Sequence, residues 1–157
     1  IGTAYKYFDS KAVLCAAVFR CATEKEVLNV QQAAFPEGDA LSCEQRLERA
    51  IQVFTERAIE GYRLAYALIA EPVEEMVQKE RLKYREAYGE IFEALITEAM
   101  ASNEFCQQDP QVSASALVGT LAETVLGSIG KQISEAKEID QKNLIEQIQG
   151  FCLRAVK

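Results

Sequence analysis

Between residues 111 and 130 the sequence carries one charged side chain, Glu123. Asp109 and Pro110 stand just ahead of this stretch, a capping residue followed by a proline suited to a first turn, so a helix is predicted from there to about Ile133. A helix without a charged face must be covered on more than one side. Its length of roughly 20 residues reaches the lower range of a membrane span. Ser113, Ser115, Thr120, Glu123, Thr124 and Ser128 argue against lipid, however. The reading that remains is a helix with one face on its own core and another on a second copy of the chain.

The rest of the sequence keeps the same helical period. Leu14, Ala17, Val18, Cys21 and Leu28 keep one face apolar and predict a helix over residues 11–34, ended by Phe35-Pro36-Glu37-Gly38-Asp39. Ser42 with Gln45 three residues later forms a capping box. Leu47, Ile51, Phe54 and Ala58 then give a buried stripe up to Gly61, the expected C-cap. A short apolar helix over 62–70 stops at Glu71-Pro72, because proline disfavours helical geometry in the residue before it. From 73 to about 102 the stripe is Met76, Val77, Tyr84, Tyr88, Ile91, Leu95 and Ala99. Glu74, Glu75, Lys79, Glu80, Arg81, Lys83, Arg85 and Glu86 read as its solvated opposite face. A last helix over 140–157 carries Leu144, Ile145, Ile148, Phe151, Cys152 and Ala155, a stripe wide enough for two contacts. No sheet signal, low-complexity run or internal repeat interrupts the pattern, which is that of an all-α bundle of about six helices.

Composition narrows the function. A chain of 157 residues with 49% apolar side chains is one domain's worth and buries a real core. There is no histidine, which excludes Ser-His-Asp and Cys-His catalysis, the H-E-x-x-H zinc site and the E-x-x-H pairs of di-iron bundles. No phosphate loop, paired-carboxylate motif or metal-ligand cluster is present either, so no enzyme, metal or cofactor is expected. Cys15, Cys21, Cys43, Cys106 and Cys152 form no C-x-x-C pair, and no signal peptide is visible. They read as reduced thiols of a cytoplasmic protein, mostly small core residues. The net charge of -7 is uneven: Lys6, Lys11, Arg20 and Lys25 against Asp9 and Glu24 give residues 1–25 a balance of +2, leaving -9 on the remainder. An acidic body repels nucleic acid, so any DNA contact belongs at the N-terminal edge.

That edge reads I-G-T-A-Y-K-Y-F-D-S-K-A-V-L. Ser10 suits an N-cap, and Lys11 then falls in a first turn whose dipole disfavours a cation unless an anion is near. Thr3, Tyr5, Lys6 and Tyr7 add hydroxyl and ammonium donors of the kind that hold a protein in register on phosphates. Gly2, Thr3, Tyr5, Tyr7, Phe8, Ser10, Lys11 and Leu14, in that order, resemble the end of the helix-turn-helix of TetR-type transcriptional regulators. Lys6 departs from the aromatic residue often found there and adds phosphate attraction.

The resemblance implies a TetR-like helical bundle. Residues 1–10 would be the remnant of a DNA-reading head whose earlier helices are missing, and residues 11–157 a ligand-binding and dimerisation domain. It implies phosphate contacts at Thr3, Tyr5, Lys6, Tyr7 and Lys11 on operator DNA, and a homodimer through the last two helices. For the dimer, Leu117, Leu121, Ile148 and Phe151 are the expected central contacts. It implies an effector cavity, with Phe54, Tyr66, Tyr84, Tyr88, Phe92 and Glu123 as the candidate lining. Glu123 either anchors a hydrophobic effector bearing a donor or positive charge, or pairs internally, for instance with Arg63. The expected function is ligand-responsive control of transcription by a cytoplasmic repressor that binds a small hydrophobic effector and no membrane. A helical small-molecule-binding module with no DNA role is the alternative.

Overall fold

The computed structural model describes residues 10–38, 40–70, 74–136 and 138–157. They form six helices: α1 (Lys11–Ala34), α2 (Cys43–Glu60), α3 (Tyr62–Ile69), α4 (Glu75–Ala101), α5 (Pro110–Glu135) and α6 (Gln141–Val156). No strand occurs among the described residues. The architecture is the all-α helical bundle that the sequence implies.

Most helix starts are set by local chemistry. Ser10 Oγ accepts from Val13 N at 3.2 Å and opens α1. At α2 the capping box is complete: Gln45 N donates to Ser42 Oγ at 3.2 Å, and Ser42 N donates to Gln45 Oε1 at 3.0 Å. Asp109 caps α5 through Val112 N at 3.0 Å with Pro110 in its first turn, and Asp140 caps α6 through Asn143 N at 3.1 Å. Gly61 joins α2 to α3 with φ of -95°, not in the left-handed conformation that a glycine C-cap suggests. Its use is close approach, since a Cβ there would lie 3.3 Å from the Arg57 carbonyl oxygen.

α1 lies along α4 and α2, α4 along α5, and α2 along α6, while α3 bridges α2 and α5. The side chains of Leu47, Ile51, Phe92, Leu95, Leu121, Val125 and Ile129 fill the centre. α5 is long and apolar enough to cross a membrane by length and composition, yet it serves as a core helix, with Leu117, Val118, Leu121, Ala122, Val125 and Ile129 buried inside the bundle.

Several expected faces turn differently. Val18 is 57% and Leu28 50% exposed, and Cys21 is exposed, whereas Ala16, Phe19, Thr23, Val30, Ala33 and Ala34 are buried. Apolar side chains encircle α1, so its own pattern does not choose a face; Phe19, ringed against Tyr84 at 5.8 Å, does. Thr23 tolerates burial because its hydroxyl donates to the Phe19 carbonyl at 2.6 Å. Met76 is exposed, and the charged side of α4 is not wholly solvated: Glu80 is 7% exposed and Arg81 half-buried. Of the cysteines, only Cys43 and Cys152 are core residues; Cys15, Cys21 and Cys106 are exposed, and all five are free thiols. Burial pushes the Cys152 thiol up to about 11.

Candidate effector cavity

Helices α1 to α5 surround a cavity of about 400 Å³. Phe19 and Val30 of α1, Phe54 and Ala58 of α2, Leu64 and Ile69 of α3, Tyr84 and Tyr88 of α4, and Val118 and Ala122 of α5 make most of its wall apolar. The space exists because Ala58, Ala65 and Ala122 are short where their helices converge, and the aromatic rings bound it. Phe54 and Tyr88 meet edge to face, with centroids 5.3 Å apart and an interplanar angle of 81°. Phe19 and Tyr84 form a second ring pair, and the Tyr84 hydroxyl donates to the Arg20 carbonyl at 3.1 Å, tying α4 to α1.

Polar groups enter the wall in two places. On the α1–α2 side the Arg57 guanidinium grips the Glu26 carboxylate through Nε to Oε2 and through Nη2 to Oε1 at 2.8 Å. The Arg57 hydrogen bonds hold the Glu26 carboxyl below its ordinary value, and Glu26 in turn raises Arg57. Glu60, one turn on from Arg57, adds to the field around it. Burial, aided by the nearby Glu26 charge, pushes the Tyr88 phenol well up, so Tyr88 meets the cavity as a neutral hydroxyl. On the α4 side Arg81 donates from Nη2 to the Ala67 carbonyl of α3 at 3.3 Å and from Nη1 to Gln78 Oε1 at 3.2 Å. Burial and the charge of Arg85, one turn on, lower Arg81. Among the described lining residues there are three guanidiniums and two carboxylates, a positive balance inside an acidic chain.

Of the six candidate lining residues, Phe54, Tyr84 and Tyr88 border the cavity. Tyr66 instead packs against the core, and Phe92 is fully buried within it. Glu123 corrects the sequence reading most sharply. It is exposed, on the side of α5 away from the cavity that its neighbour Ala122 lines, so it is neither the cavity's acidic anchor nor a buried carboxylate seeking a partner. Arg63 is likewise exposed and stands over the ring of Tyr62 at 5.7 Å. The polar lining of Glu26, Arg57, Arg81 and Arg85 gives no sequence signal of its own, because each reads as an ordinary charge on an amphipathic helix.

Leu117, Leu121 and Ile148 are packed into the chain's own core, so they are not available to a second copy; Phe151, 54% exposed, is. Lys11 is exposed at the start of α1 beside its Ser10 cap. Thr3, Tyr5, Lys6 and Tyr7 lie outside the described residues.

The model of the tetracyclin repressor-like C-terminal domain family matches residues 40–126, more than half of the chain and much of the cavity wall. No curated protein matches the sequence. Among solved structures, the fatty acid degradation regulator FadR from Bacillus halodurans superposes with a TM-score of 0.82 at 19% identity, over 97% of this chain and 77% of that one. The transcriptional regulator FadR from Bacillus subtilis, solved in complex with stearoyl-CoA, gives 0.81 at 16% identity over 99% and 82%. A transcriptional regulator of the TetR/AcrR family from Thermobifida fusca gives 0.73 at 19% identity over 97% and 78%. At these identities the likeness is one of fold.

Proposed function

The chain belongs to the tetracyclin repressor-like (TetR) family, and from that premise we propose that it is a cytoplasmic, ligand-responsive transcriptional repressor whose helical body, residues 11–157, senses a small hydrophobic effector. Residues 1–10 belong to the DNA-reading head, with Thr3, Tyr5, Lys6, Tyr7 and Lys11 on phosphates. Two copies pair through the outer sides of α5 and α6. The observation that carries this reading is that α1, the helix beginning at Lys11 directly after the motif-bearing segment, is also a wall of the cavity, through Phe19, Thr23, Glu26 and Val30. An effector filling the cavity favours one placement of α1 over another, and so one spacing of paired heads.

The apolar, aromatic lining suits an elongated hydrophobic molecule better than a polar metabolite. A neighbour in fold was solved with stearoyl-CoA, which supports an acyl chain as the apolar part. A protein carrying the complete DNA-reading head should bind a near-palindromic DNA site with strong salt dependence. A medium-chain acyl compound should weaken that binding. Lys11→Ala should reduce affinity for all sequences alike and flatten the logarithmic salt slope by about one unit, as loss of one phosphate contact requires. A protein that takes up acyl compounds but selects no DNA from a random pool would be the small-molecule-binding module instead.

A further inference from the structure

The Glu26–Arg57 pair is placed oddly for an ion pair whose only task is to hold two helices together. It joins α1 to α2, yet both residues line the cavity. Around it are the uncharged Phe54, Tyr88 and Val30, with Glu60 one turn on from Arg57 as the neighbouring carboxylate. An apolar molecule that fills the cavity can bring its polar end against a guanidinium already committed to a carboxylate, where a charge-assisted bond is stronger than a neutral one.

We propose that Arg57 is the polar subsite of the cavity and Glu26 its internal stand-in ligand: the anionic head of an acyl effector takes Arg57 from Glu26, and occupancy thereby unfastens α1 from α2. The inference rests on the effector reading above and adds to it the charge of the effector and the contact it breaks. The exchange keeps Arg57 paired. The bidentate guanidinium trades one carboxylate for another anionic group of matching fork geometry. The released Glu26, already partly exposed, turns to water, and Asn29, within 3.5 Å, offers it an amide. A carboxylate of a free fatty acid and the phosphates of an acyl thioester both supply this chemistry.

The test is titration calorimetry of this chain with decanoate, decanoyl-coenzyme A and decanol, which share one alkyl length and differ in the head. The anionic compounds should bind at least about tenfold more tightly than decanol, the gain expected of one well-placed charge-assisted contact. The sign of the variants is the decisive feature. Glu26→Gln removes the competitor and should tighten the preferred anion several-fold relative to decanol; Arg57→Gln should weaken it about tenfold relative to decanol. Preference for decanoate identifies a carboxylate head, and preference for decanoyl-coenzyme A a phosphate-bearing one. Arg57→Lys, which keeps the charge and loses the fork, should fall between wild type and Arg57→Gln, and carries the test if Arg57→Gln melts early. Equal binding of decanol and both anions, unmoved by either substitution, overturns the exchange while leaving an apolar effector site in place. A Glu26→Gln variant that weakens the anion overturns it too, by making the pair structural. Failure of all three compounds to bind retires the effector reading together with the exchange.

Discussion

Glu80 shows at the scale of one residue how a charge becomes structural. It sits on α4 at the edge of α1, where Lys83 Nζ reaches Oε1 at 2.9 Å and Arg20 Nε reaches Oε2 at 3.4 Å. The Lys83 contact, then that of Arg20, holds its carboxyl below the ordinary value of 4.5. A carboxyl depressed in the folded state stabilises the fold fully above its unfolded value, and that contribution disappears as the pH falls through the lowered folded one. Glu80→Gln should therefore cost about 1 kcal/mol near neutrality. Denaturant unfolding of the two proteins across pH should show the difference closing on the acid side; a gap that persists there would mean the loss is one of packing. Glu123 teaches the opposite lesson. A lone carboxylate in an apolar helix stands out in a sequence, but the next residue along lies about 100° around the helix, so a cavity reached by Ala122 is missed by Glu123. Polar groups reach the cavity wall instead from Glu26 and Arg57, and from Arg81 and Arg85, each ordinary in its own helix; the Glu26–Arg57 pair exists only because α1 and α2 meet.

At the scale of the element, what is legible is what is local. Ser10, Ser42, Asp109 and Asp140 each cap within three residues of themselves, so the starts of α1, α2, α5 and α6 can be read from sequence alone. The stripes of α2 and much of α4 are legible for the same reason, since Leu47, Ile51, Ile91, Leu95 and Ala99 repeat at helical spacing with charges opposite. The buried face of α1 is not, because Val18 and Leu28 are as apolar as Val30, and the choice is made by Tyr84 and Val77 on another helix. The caps give a quantitative handle. Ser42→Ala removes one half of the α2 capping box and should cost about 1 kcal/mol, read as a lower denaturation midpoint with an unchanged slope. Because α2 contributes Phe54, Arg57 and Ala58 from turns remote from this cap, affinity for an acyl compound should be unaltered in the folded variant. A parallel loss of affinity would show that the end of α2 and the cavity move as one unit.

At the scale of the whole molecule, α5 explains why a single copy leaves something uncovered. One side supplies Leu117, Leu121, Val125 and Ile129 to the core, and the side that remains outside carries Val112, Ala116 and Glu123. The sequence foresees two covered faces but assigns Leu117 and Leu121 to the wrong one, because spacing alone does not say which stripe meets the core. α6 repeats the division, with Ile145, Ile148, Cys152 and Val156 inside and Phe151 outside. Gly119 and Gly127 leave open space beside α5, where a Cβ would meet nothing within 4 Å, so a second helix can come close there. A stable obligate dimer buries on the order of 2,000 Å² or more and excludes charge from its centre. Phe151→Glu should accordingly convert a sedimenting dimer into a monomer at micromolar concentration, because burying an unpaired carboxylate costs several times what a lost ring contact does. Its melting temperature should then lose the dependence on protein concentration that a dimer shows. Leu121→Ala, by contrast, empties the core and should lower stability by about 2–5 kcal/mol without freeing the monomer first. If Phe151→Glu stayed dimeric and Leu121→Ala dissociated while folded, the two faces of α5 would be exchanged and the pairing surface would run through the side that here fills the bundle.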